Sequence, residues 1–402
     1  MEKKTQESMK IGREAENAAP GSNTPGRQPG EKGEEPGQAG QQPGKEAAGP
    51  EQAVGETHKT DVKSMTLPEL ESWLSGIGEK PFRAKQLFDW IHNKQASSFS
   101  DMTNLSKALR EKLEKEAGLV VLKAAKVETS GIDGTRKYLF ETEDGNFIES
   151  VRMTYSYGMS ACISSQIGCA MGCRFCASTI GGVVRSLTAA EMLDQVYRIQ
   201  ADSPARVSHV VVMGMGEPFD NYDELVRFLH LVTAKEGMGL SARNLTVSTC
   251  GIVPGIRRFA KEGMPVTLAL SLHASNQKAR EEMMPIARKY PLDEVLDACR
   301  YYFRETGRRV TYEYSMVNGV NDSPENAEEL GRLLGHQGAH VNLIPMNPVR
   351  EKTWRQSPKE AISRFKMELE NYGINVTIRR EMGRDIDGAC GQLRKRYTNQ
   401  IL

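Results

Sequence analysis

The stretch that decides the fold is Gly168-Cys-Ala-Met-Gly-Cys-Arg-Phe-Cys-Ala177, which places three cysteines within eight residues in the spacing Cys-x3-Cys-x2-Cys. It follows Met159–Ile163, an apolar segment that we expect to form a strand. Gly168 and Gly172 let a short loop turn sharply between the cysteines, because glycine lacks the Cβ that restricts other residues. The sequence therefore predicts a strand that leads into a compact, thiol-rich loop.

The spacing of Cys169, Cys173 and Cys176 is typical of a 4Fe–4S cluster site. Three thiolates hold three irons of the cubane and leave the fourth iron without a protein ligand. That iron can chelate the amino and carboxylate groups of S-adenosylmethionine. A thioredoxin-like pair, Cys173 and Cys176, would leave Cys169 without a role. A zinc site needs a fourth ligand, and no second paired cysteine or histidine motif follows downstream, so we favour the cluster.

Beyond the cysteine loop, apolar strands alternate with amphipathic helices. The predicted strands are Val207–Met213, Asn244–Thr249, Val266–Leu272, Val310–Met316, Val341–Ile344 and Asn375–Arg379. The predicted helices lie near Ala189–Gln200, Tyr222–Lys235, Ile256–Glu262, Leu292–Glu305, Pro324–Leu334 and Pro358–Tyr372. This alternation implies parallel βαβ units. We expect an α/β fold with a partial (β/α)6 TIM-like barrel, whose ligand-binding groups lie at the carboxyl ends of the strands. A doubly wound open sheet is the alternative.

The flanking segments differ in composition from this core. The first sixty residues contain no Leu, Phe, Tyr, Trp or Cys, so we expect a disordered, low-complexity tail over residues 1–63. Thr66-Leu-Pro-Glu69 predicts a capping box that opens a small helical domain over residues 64–117. A β-hairpin extension with a two-residue turn at Asp144-Gly145 is expected over residues 118–158. The barrel would span residues 159–383, and a C-terminal tail residues 384–402.

Composition restricts the class of protein. The net charge of +1 gives no argument for nucleic acid, although Arg379-Arg380 and Arg394-Lys395-Arg396 are candidate phosphate contacts. No apolar leader follows Met1 and no apolar run reaches membrane-spanning length, so we expect a cytoplasmic protein without a membrane partner. In that reducing compartment, seven cysteines indicate metal binding or catalysis instead of structural disulfides.

Further motifs follow the cysteine loop in a fixed order. They are Gly214-Met-Gly-Glu-Pro218, Val247-Ser-Thr-Cys-Gly251, Leu270-Ser-Leu-His-Ala274, Ile344-Pro-Met-Asn-Pro348 and Asp385-Ile-Asp-Gly-Ala-Cys-Gly-Gln-Leu393. With the cysteine loop, they resemble the radical S-adenosylmethionine superfamily and, within it, the RNA adenine-C2 methyltransferases often called RlmN. The resemblance covers approximately residues 64–398. It implies one 4Fe–4S cluster and S-adenosylmethionine as both methyl donor and radical source.

The resemblance also implies a set of cosubstrate contacts at the strand ends. They are Gly216, Glu217, Ser248, Ser271, Leu272, His273 and Asn347. Glu217 corresponds to the residue that accepts a hydrogen bond from the methionyl ammonium.

Three further residues match the family's catalytic positions. Cys390 matches the cysteine that is methylated by one S-adenosylmethionine and then loses hydrogen to a 5′-deoxyadenosyl radical made from a second. The resulting carbon radical adds to C2 of adenine. Glu149 matches the proposed proton acceptor, and Cys162 matches the thiol that attacks Cys390, forms a transient disulfide and releases the RNA. Cys250 and Cys299 are expected to be core residues.

The implied substrate is 23S ribosomal RNA at an adenosine of the peptidyl-transferase centre, together with tRNA beside the anticodon. The helical domain and the basic C-terminal residues are candidate RNA contacts, and a flavodoxin or ferredoxin is the expected reductant. Three alternatives stay open at this point. They are C8 methylation of the same nucleotide, a zinc-stabilised RNA-binding protein without enzymatic activity, and a radical enzyme that activates another protein.

Overall fold

The structure, a computed structural model of the 402-residue chain, describes residues 59–335, 338–346, 353–386 and 392–401. Its strands are β1 Thr60–Asp61, β2 Ala117–Gly118, β3 Lys123–Thr129, β4 Arg136–Glu141, β5 Phe147–Tyr155, β6 Gly158–Ile163, β7 Gln166–Gly168, β8 Val183–Ser186, β9 Val207–Val212, β10 Leu245–Thr249, β11 Thr267–Ser271, β12 Thr311–Met316, β13 His340–Pro345 and β14 Asn375–Ile378. Its α-helices are α1 Leu67–Gly76, α2 Arg83–Phe88, α3 Lys107–Glu116, α4 Ala189–Ala201, α5 Tyr222–Thr233, α6 Val253–Phe259, α7 Gln277–Met283, α8 Leu292–Thr306, α9 Pro324–Leu334, α10 Lys359–Asn371 and α11 Gln392–Ile401.

Seven parallel strands form one side of a ten-stranded sheet and end at its edge strand β14. Their spatial order, β6-β9-β10-β11-β12-β13-β14, is the same as their order along the chain. A doubly wound sheet reverses its strand order at a switch point, so this order excludes the open-sheet alternative. The predicted α/β fold with a partial barrel is confirmed. The last of its parallel strands, β14, is the strand that the sequence predicts at Asn375–Arg379.

The barrel is stabilised by apolar side chains that its strands and helices bury together. Val210 and Val247 on adjacent strands and Leu268 on the next are fully buried, as is Phe228 on α5. Full burial of such a side chain contributes about 1.5–3 kcal/mol. This continuous apolar layer holds the carboxyl ends of the strands, and hence the side chains beyond them, in a fixed arrangement.

The segment before the barrel contains the expected helices. Thr66 and Glu69 form the capping box that opens α1, and α2 continues into a π-helical turn at Asp89–Asn93. The disordered tail predicted over residues 1–63 is wrong at its C-terminal end, because Thr60–Asp61 form a strand that pairs in parallel with Ala117–Gly118. Residues 1–58 lie outside the described part of the chain.

The expected hairpin is present as part of a larger antiparallel unit. β4 and β5 pair as predicted, β3 adds a third strand, and β5 joins the barrel through β6. The predicted two-residue turn at Asp144-Gly145 is wrong, because the connecting loop is longer. Thr142 and Asn146 are hydrogen-bonded across a three-residue loop, and Gly145 has a φ of 75° at its end. Three-residue loops require such a left-handed residue to restore the strand direction, and glycine satisfies this need.

Candidate active site

The three cysteines lie on the loop that follows β7. Cys169 and Cys173 are buried, and Cys176 is partly exposed. Gly168 lies against β8 so closely that a Cβ there would come within 2.0 Å of the Gly182 carbonyl oxygen. The adjacent amide of Cys169 donates to the same oxygen at 3.1 Å. The β7–β8 pairing therefore fixes the first cysteine, and the glycine is required by close backbone contact.

The chemistry of this thiol set fits a 4Fe–4S cluster. Burial raises the pKa of Cys169 to about 12, and the neighbouring Cys176 thiol acts in the same direction. Burial also raises the pKa of Cys173, again with contributions from Cys176 and then Cys169. Bound iron would replace these protons and offset the mutual repulsion of the thiolates.

The arrangement of possible metal ligands bears on whether the site binds one metal ion or a cluster. Among the described residues, no group of three His, Cys, Asp or Glu side chains is placed to hold a single metal ion. A cubane needs a wider arrangement, since each of its thiolates binds a different iron. The absence of such a group among these residues is compatible with cysteines that each bind a different iron.

Glu217 is buried behind the cysteine loop, just past β9. Its Oε2 accepts from the Cys250 amide at 2.8 Å and its Oε1 accepts from the Phe219 amide at 3.2 Å. Burial raises its pKa, and these two amides act in the opposite direction. The preceding Gly216, with a φ of 104°, packs against Gln166, where a Cβ would come within 2.6 Å of the side chain. The carboxylate is thus held in one orientation next to the cluster loop.

His273 occupies a strained position just past the end of β11. Its φ is 56°, which is rare for a residue with a side chain, and such strain is concentrated at functional sites. Its Nδ1 accepts from the Ser315 amide at 3.0 Å, which leaves the proton on Nε2. Burial lowers its pKa to about 3, so the ring is neutral. It packs edge-on against Phe175 of the cysteine loop, with ring centroids 4.7 Å apart.

An open cavity at the carboxyl ends of the strands brings several predicted residues together. Its lining includes the predicted site residues Cys162, Cys176, Ser248, Ser271 and His273. Ser248 and Ser271 end adjacent strands, and their Oγ atoms are 3.4 Å apart. Leu272 instead points into the core, and its amide donates to the Glu313 carbonyl at 3.0 Å. Asn347 and Cys390 lie outside the described residues.

Cys162 lies on β6 beside this cavity. It is 5% exposed, and burial raises the pKa of its thiol, while the Arg379 charge acts in the opposite direction. Cys250 and Cys299 are both buried, as predicted. Cys250, however, packs in the same apolar cluster as Cys173, so its surroundings are those of the cofactor site.

Glu149 lies on β5, where it joins the antiparallel unit to the C-terminal helix. Its Oε2 is 3.0 Å from the Lys137 Nζ, and its Oε1 accepts from the Arg394 amide at 2.7 Å. Arg394 is the third residue of α11, so the carboxylate caps the positive end of that helix. The sequence predicts a tail here and not a helix, because Gln392–Ile401 is polar and lacks a strong apolar periodicity.

A second contact docks the segment before α11. The Asp385 carboxylate accepts from the Gly131 amide at 2.7 Å and from Ser130 Oγ, both in the loop between β3 and β4. Ile386 then lines the cavity. The chain on either side of residues 387–391 is therefore attached to the antiparallel unit.

Sequence reasoning also missed charged residues in the cavity lining. Glu313 is 6% exposed, burial raises its pKa, and Asn342 donates to its Oε2 at 2.9 Å. Lys137 lines the same cavity and was also missed, whereas Arg379, which lines it too, is one of the phosphate contacts expected from the sequence. Glu313 is the one charged residue of β12, and a charged side chain in such a buried strand is an unusual feature that could have indicated a functional position.

Comparison with known proteins places this geometry in a family. Residues 60–119 match the ribosomal RNA large subunit methyltransferase N-terminal domain, and residues 163–331 match the radical SAM superfamily. A probable dual-specificity RNA methyltransferase RlmN from Lachnospira eligens is 55% identical over 85% of this chain and 98% of its own. The same description applies to a protein of Lachnoclostridium phytofermentans, 55% identical over 86% and 97% of the two chains.

The fold agrees with a solved structure. A radical SAM methyltransferase from Sphaerobacter thermophilus superposes with a TM-score of 0.80 at 44% identity and covers 83% of this chain and 98% of its own. Within the described residues, every helix is too short or too polar to cross a membrane. The cofactors of such enzymes are a 4Fe–4S cluster and S-adenosylmethionine, and Cys169, Cys173 and Cys176 fit the cluster. The chain belongs to the RlmN family of radical S-adenosylmethionine RNA methyltransferases.

Proposed function

We propose that this protein methylates C2 of an adenosine in the peptidyl-transferase centre of 23S ribosomal RNA, and of an adenosine beside the tRNA anticodon. The dual specificity in its relatives' names supports two RNA substrates. One structural observation carries the proposal. Cys162, Cys176 and Ile386, which precedes Cys390 by four residues, line the same cavity.

Chain length restricts where Cys390 can lie. Four residues span at most about 14 Å when fully extended, so Cys390 stays within that distance of Ile386. On its other side, the Arg394 amide is bound to Glu149. Both attachments, through Asp385 and through Arg394, are made to the antiparallel unit beside the cavity. These constraints support Cys390 as the methyl carrier.

The proposed reaction uses two S-adenosylmethionine molecules per cycle. The Cys390 thiolate takes the methyl group of the first by displacement at the sulfonium. Cys169, Cys173 and Cys176 would hold the 4Fe–4S cluster, which would provide the electron for reductive cleavage of the second molecule to a 5′-deoxyadenosyl radical. Cys390 then presents its methyl group for hydrogen abstraction and forms the carbon–carbon bond to C2 of adenine. Contacts from Glu217, His273, Ser248 and Ser271 orient S-adenosylmethionine, and Asn347 and the Leu272 backbone belong to the same proposed set.

Release of the product is assigned to two further side chains. Glu149 accepts the C2 proton, and the unpaired electron of the adduct has to pass to an acceptor, for which the oxidised 4Fe–4S cluster would serve, so that a closed-shell thioether remains. The nearby Lys137 stabilises the Glu149 carboxylate before the proton transfer. Cys162 then attacks the Cys390 sulfur, which breaks the sulfur–carbon bond to the RNA. A Cys162–Cys390 disulfide forms, and the freed carbon takes up a proton to become the methyl group. An external thiol reductant restores both cysteines.

RNA would approach over the basic side of the cavity. We propose that the helical domain at residues 64–117 contacts RNA, together with Arg379-Arg380 and Arg394-Lys395-Arg396. Arg379 and Arg380 line the cavity, which places positive charge where a phosphate would pass. The target adenine has to leave its stack to enter. A flavodoxin or ferredoxin in the cytoplasm would supply the electrons.

C8 methylation is the competing activity, since it uses the same cluster and both thiols. The run of Gly214–Pro218 directly into Phe219-Asp-Asn-Tyr222 resembles the C2 group and favours that regiochemistry.

The test is an anaerobic assay of the reconstituted protein on 23S rRNA and tRNA fragments, followed by nucleoside mass spectrometry against authentic standards. We expect 2-methyladenosine in both RNAs. 8-Methyladenosine alone would overturn the regiochemistry, and methylation of only one RNA would overturn the dual specificity.

A further inference from the structure

Arg280 on α7 is a buried cation that the reaction described above does not use. Its side chain is fully buried, with no measurable exposure. Its Nη2 donates to the carbonyl oxygens of Cys250, at 2.6 Å, and Ser271, at 3.4 Å. Its Nε and Nη1 atoms are buried and have no hydrogen-bond partner in the described part of the chain. A buried, unsatisfied donor costs about 1–3 kcal/mol, so two of them need an explanation.

The surroundings of Arg280 are sulfur-rich and acidic. Cys250, which accepts its hydrogen bond, packs in one cluster with Cys173. The amide of the same Cys250 donates to the Glu217 carboxylate at 2.8 Å. Glu217 and Arg280 therefore bind the two sides of one backbone segment, the carboxylate at its N–H and the guanidinium at its C=O. The Arg280 charge also acts on the Cys173 thiol, where it opposes the effect of burial on the pKa.

A purely structural role does not account for this arrangement. The bonds to Cys250 and Ser271 hold together the ends of β10 and β11, but they use one nitrogen of the guanidinium. No ion pair with a carboxylate is formed by Arg280 within the described residues, although an unpaired buried charge costs several kcal/mol. The cation instead acts on the Cys250, Cys173 and Cys299 thiols, and of these Cys173 is a proposed cluster ligand.

We propose that Arg280 is a positioning residue that tunes the cluster electrostatically. Reduction adds one electron to a site that already holds three thiolates, and a fixed positive charge beside Cys173 stabilises the reduced state. The net charge near a cluster and the hydrogen bonds to its sulfur atoms are two of the factors that set its reduction potential. Arg280 supplies the charge, and its Nη2 fixes the guanidinium to the Cys250 carbonyl, in the same apolar cluster as Cys173. It thereby makes the cluster easier to reduce by a weak biological donor.

The test compares Arg280→Met, which removes the charge, with Arg280→Lys, which keeps it. Arg308→Met is the matched control, because Arg308 donates from Nη2 to Thr267 Oγ1 at the opposite end of β11 and also has an unpartnered Nε. The three variants and the unmodified protein are reconstituted anaerobically. Each is then titrated with reductant while the reduced cluster is followed by electron paramagnetic resonance.

We expect the reduced-to-oxidised ratio of Arg280→Met, at the midpoint potential of the unmodified protein, to fall at least tenfold. This is a shift of about 59 mV to lower potential for one electron. Arg280→Lys should stay within threefold, and Arg308→Met should be unchanged. An unchanged potential in Arg280→Met would overturn the proposal and leave only the structural role.

Iron content and circular dichroism cover the case in which a variant does not load. If Arg280→Met is folded but takes up no iron, whereas Arg280→Lys loads fully, the proposal is supported. Binding of the cluster then depends on the positive charge at this position and not on the shape of the side chain. Equal loss of iron in both variants, with no difference in potential in the fraction that loads, overturns it.

Discussion

Two buried charged regions of this molecule differ in how their charges are satisfied. At the junction of the helical domain and the barrel, Lys63 and Asp194 are both fully buried and 2.7 Å apart. Lys63 also donates to the Val120 carbonyl, and Asp194 accepts from the Leu122 amide at 2.6 Å. At the cofactor site, Glu217 and Arg280 bind one backbone segment without touching, and two guanidinium nitrogens have no partner among the described residues.

This difference separates structural charge from functional charge. At the junction the Lys63 cation and the Asp194 anion form a direct ion pair, and Arg198 Nε lies 3.5 Å from the second Asp194 oxygen, so these opposite charges neutralise one another. At the cofactor site, the Glu217 carboxylate and the Arg280 guanidinium bind opposite sides of the Cys250 backbone. Neither charge is neutralised by the other, so both can act on a bound ligand. Active sites commonly retain such incompletely satisfied groups at a cost in stability. The comparison predicts that mutations at the junction act on folding and mutations at the cofactor site act on ligands.

The largest expected effect is on stability at the junction. Lys63→Met leaves the buried Asp194 without its closest cation and with only Arg198 Nε, at 3.5 Å, so the free energy of unfolding should fall by about 3–5 kcal/mol. Chemical denaturation of the metal-free protein measures this. Lys59→Met, at an exposed position in the same segment, should change the free energy by no more than about 0.5 kcal/mol. A loss below 1 kcal/mol for Lys63→Met would break the comparison.

At the cofactor site, Glu217→Gln should act on the ligand. The amide side chain still has one oxygen for the backbone donors but loses the charge that would attract the methionyl ammonium. A hydrogen bond to a charged group contributes about 1.5–3 kcal/mol, so the affinity for S-adenosylmethionine should fall by about tenfold to a hundredfold. Equilibrium binding to the reconstituted protein measures it, with iron content as the control. Unchanged affinity at full iron content would contradict the assignment.

The junction should also show a pH dependence of its own. Burial lowers the pKa of His92 to about 3, with a smaller effect of Lys63, whereas an unfolded histidine titrates near 6.5. The unfolded chain therefore binds the extra proton between these values. Stability contributed by neutral His92 is complete above pH 6.5 and is lost as the pH falls towards 3.

His92→Asn should flatten this dependence by up to about 1.4 kcal/mol per pH unit over that range. The free energy of unfolding of both proteins, measured at several pH values between 4 and 7, gives the difference. Parallel curves for the two proteins would show that His92 is not buried in its neutral form.

The smallest effect is expected at the docking contact of the C-terminal segment. Asp385→Ala removes the acceptor for Gly131 and Ser130, so the segment that leads to Cys390 is held less firmly. We expect methylation to slow several-fold while S-adenosylmethionine binding and iron content stay constant. Arg384→Ala, on the same segment but paired with Glu381, is the matched control. Equal rates for the two variants would exclude a role for the docking contact.

The sequence was most informative where periodicity and burial agree. The barrel strands and their helices were predicted to within a few residues, because each long apolar run can be buried only in such a layer. Short or charged elements were missed, among them β7, β8 and α11. Their local pattern is weak, and tertiary contacts such as the pairing of Gly168 with Val183 decide them.

The same limit applies to the site. The spacing of the cysteines is enough to predict a cluster site. Arg280, in contrast, lies in Gln277–Met283, which has the composition of a solvent-exposed helix. Only the packed structure reveals that this one arginine is buried against Cys250. Glu149 shows a further case, because its bond to Arg394 joins residues 245 positions apart.

The central claim is that methyl transfer passes through Cys390 and is completed by Cys162. The most direct measurement is the mass of Cys162→Ala after anaerobic turnover with RNA, followed by nuclease and protease digestion to map the linkage. We predict a covalent RNA adduct on the peptide that contains Cys390, and none in the Cys162→Ala/Cys390→Ala double variant. The matched control, Cys299→Ala, alters a thiol buried in the core and should release methylated RNA without an adduct. A Cys162→Ala protein that turns over normally and carries no RNA would contradict the two-thiol account.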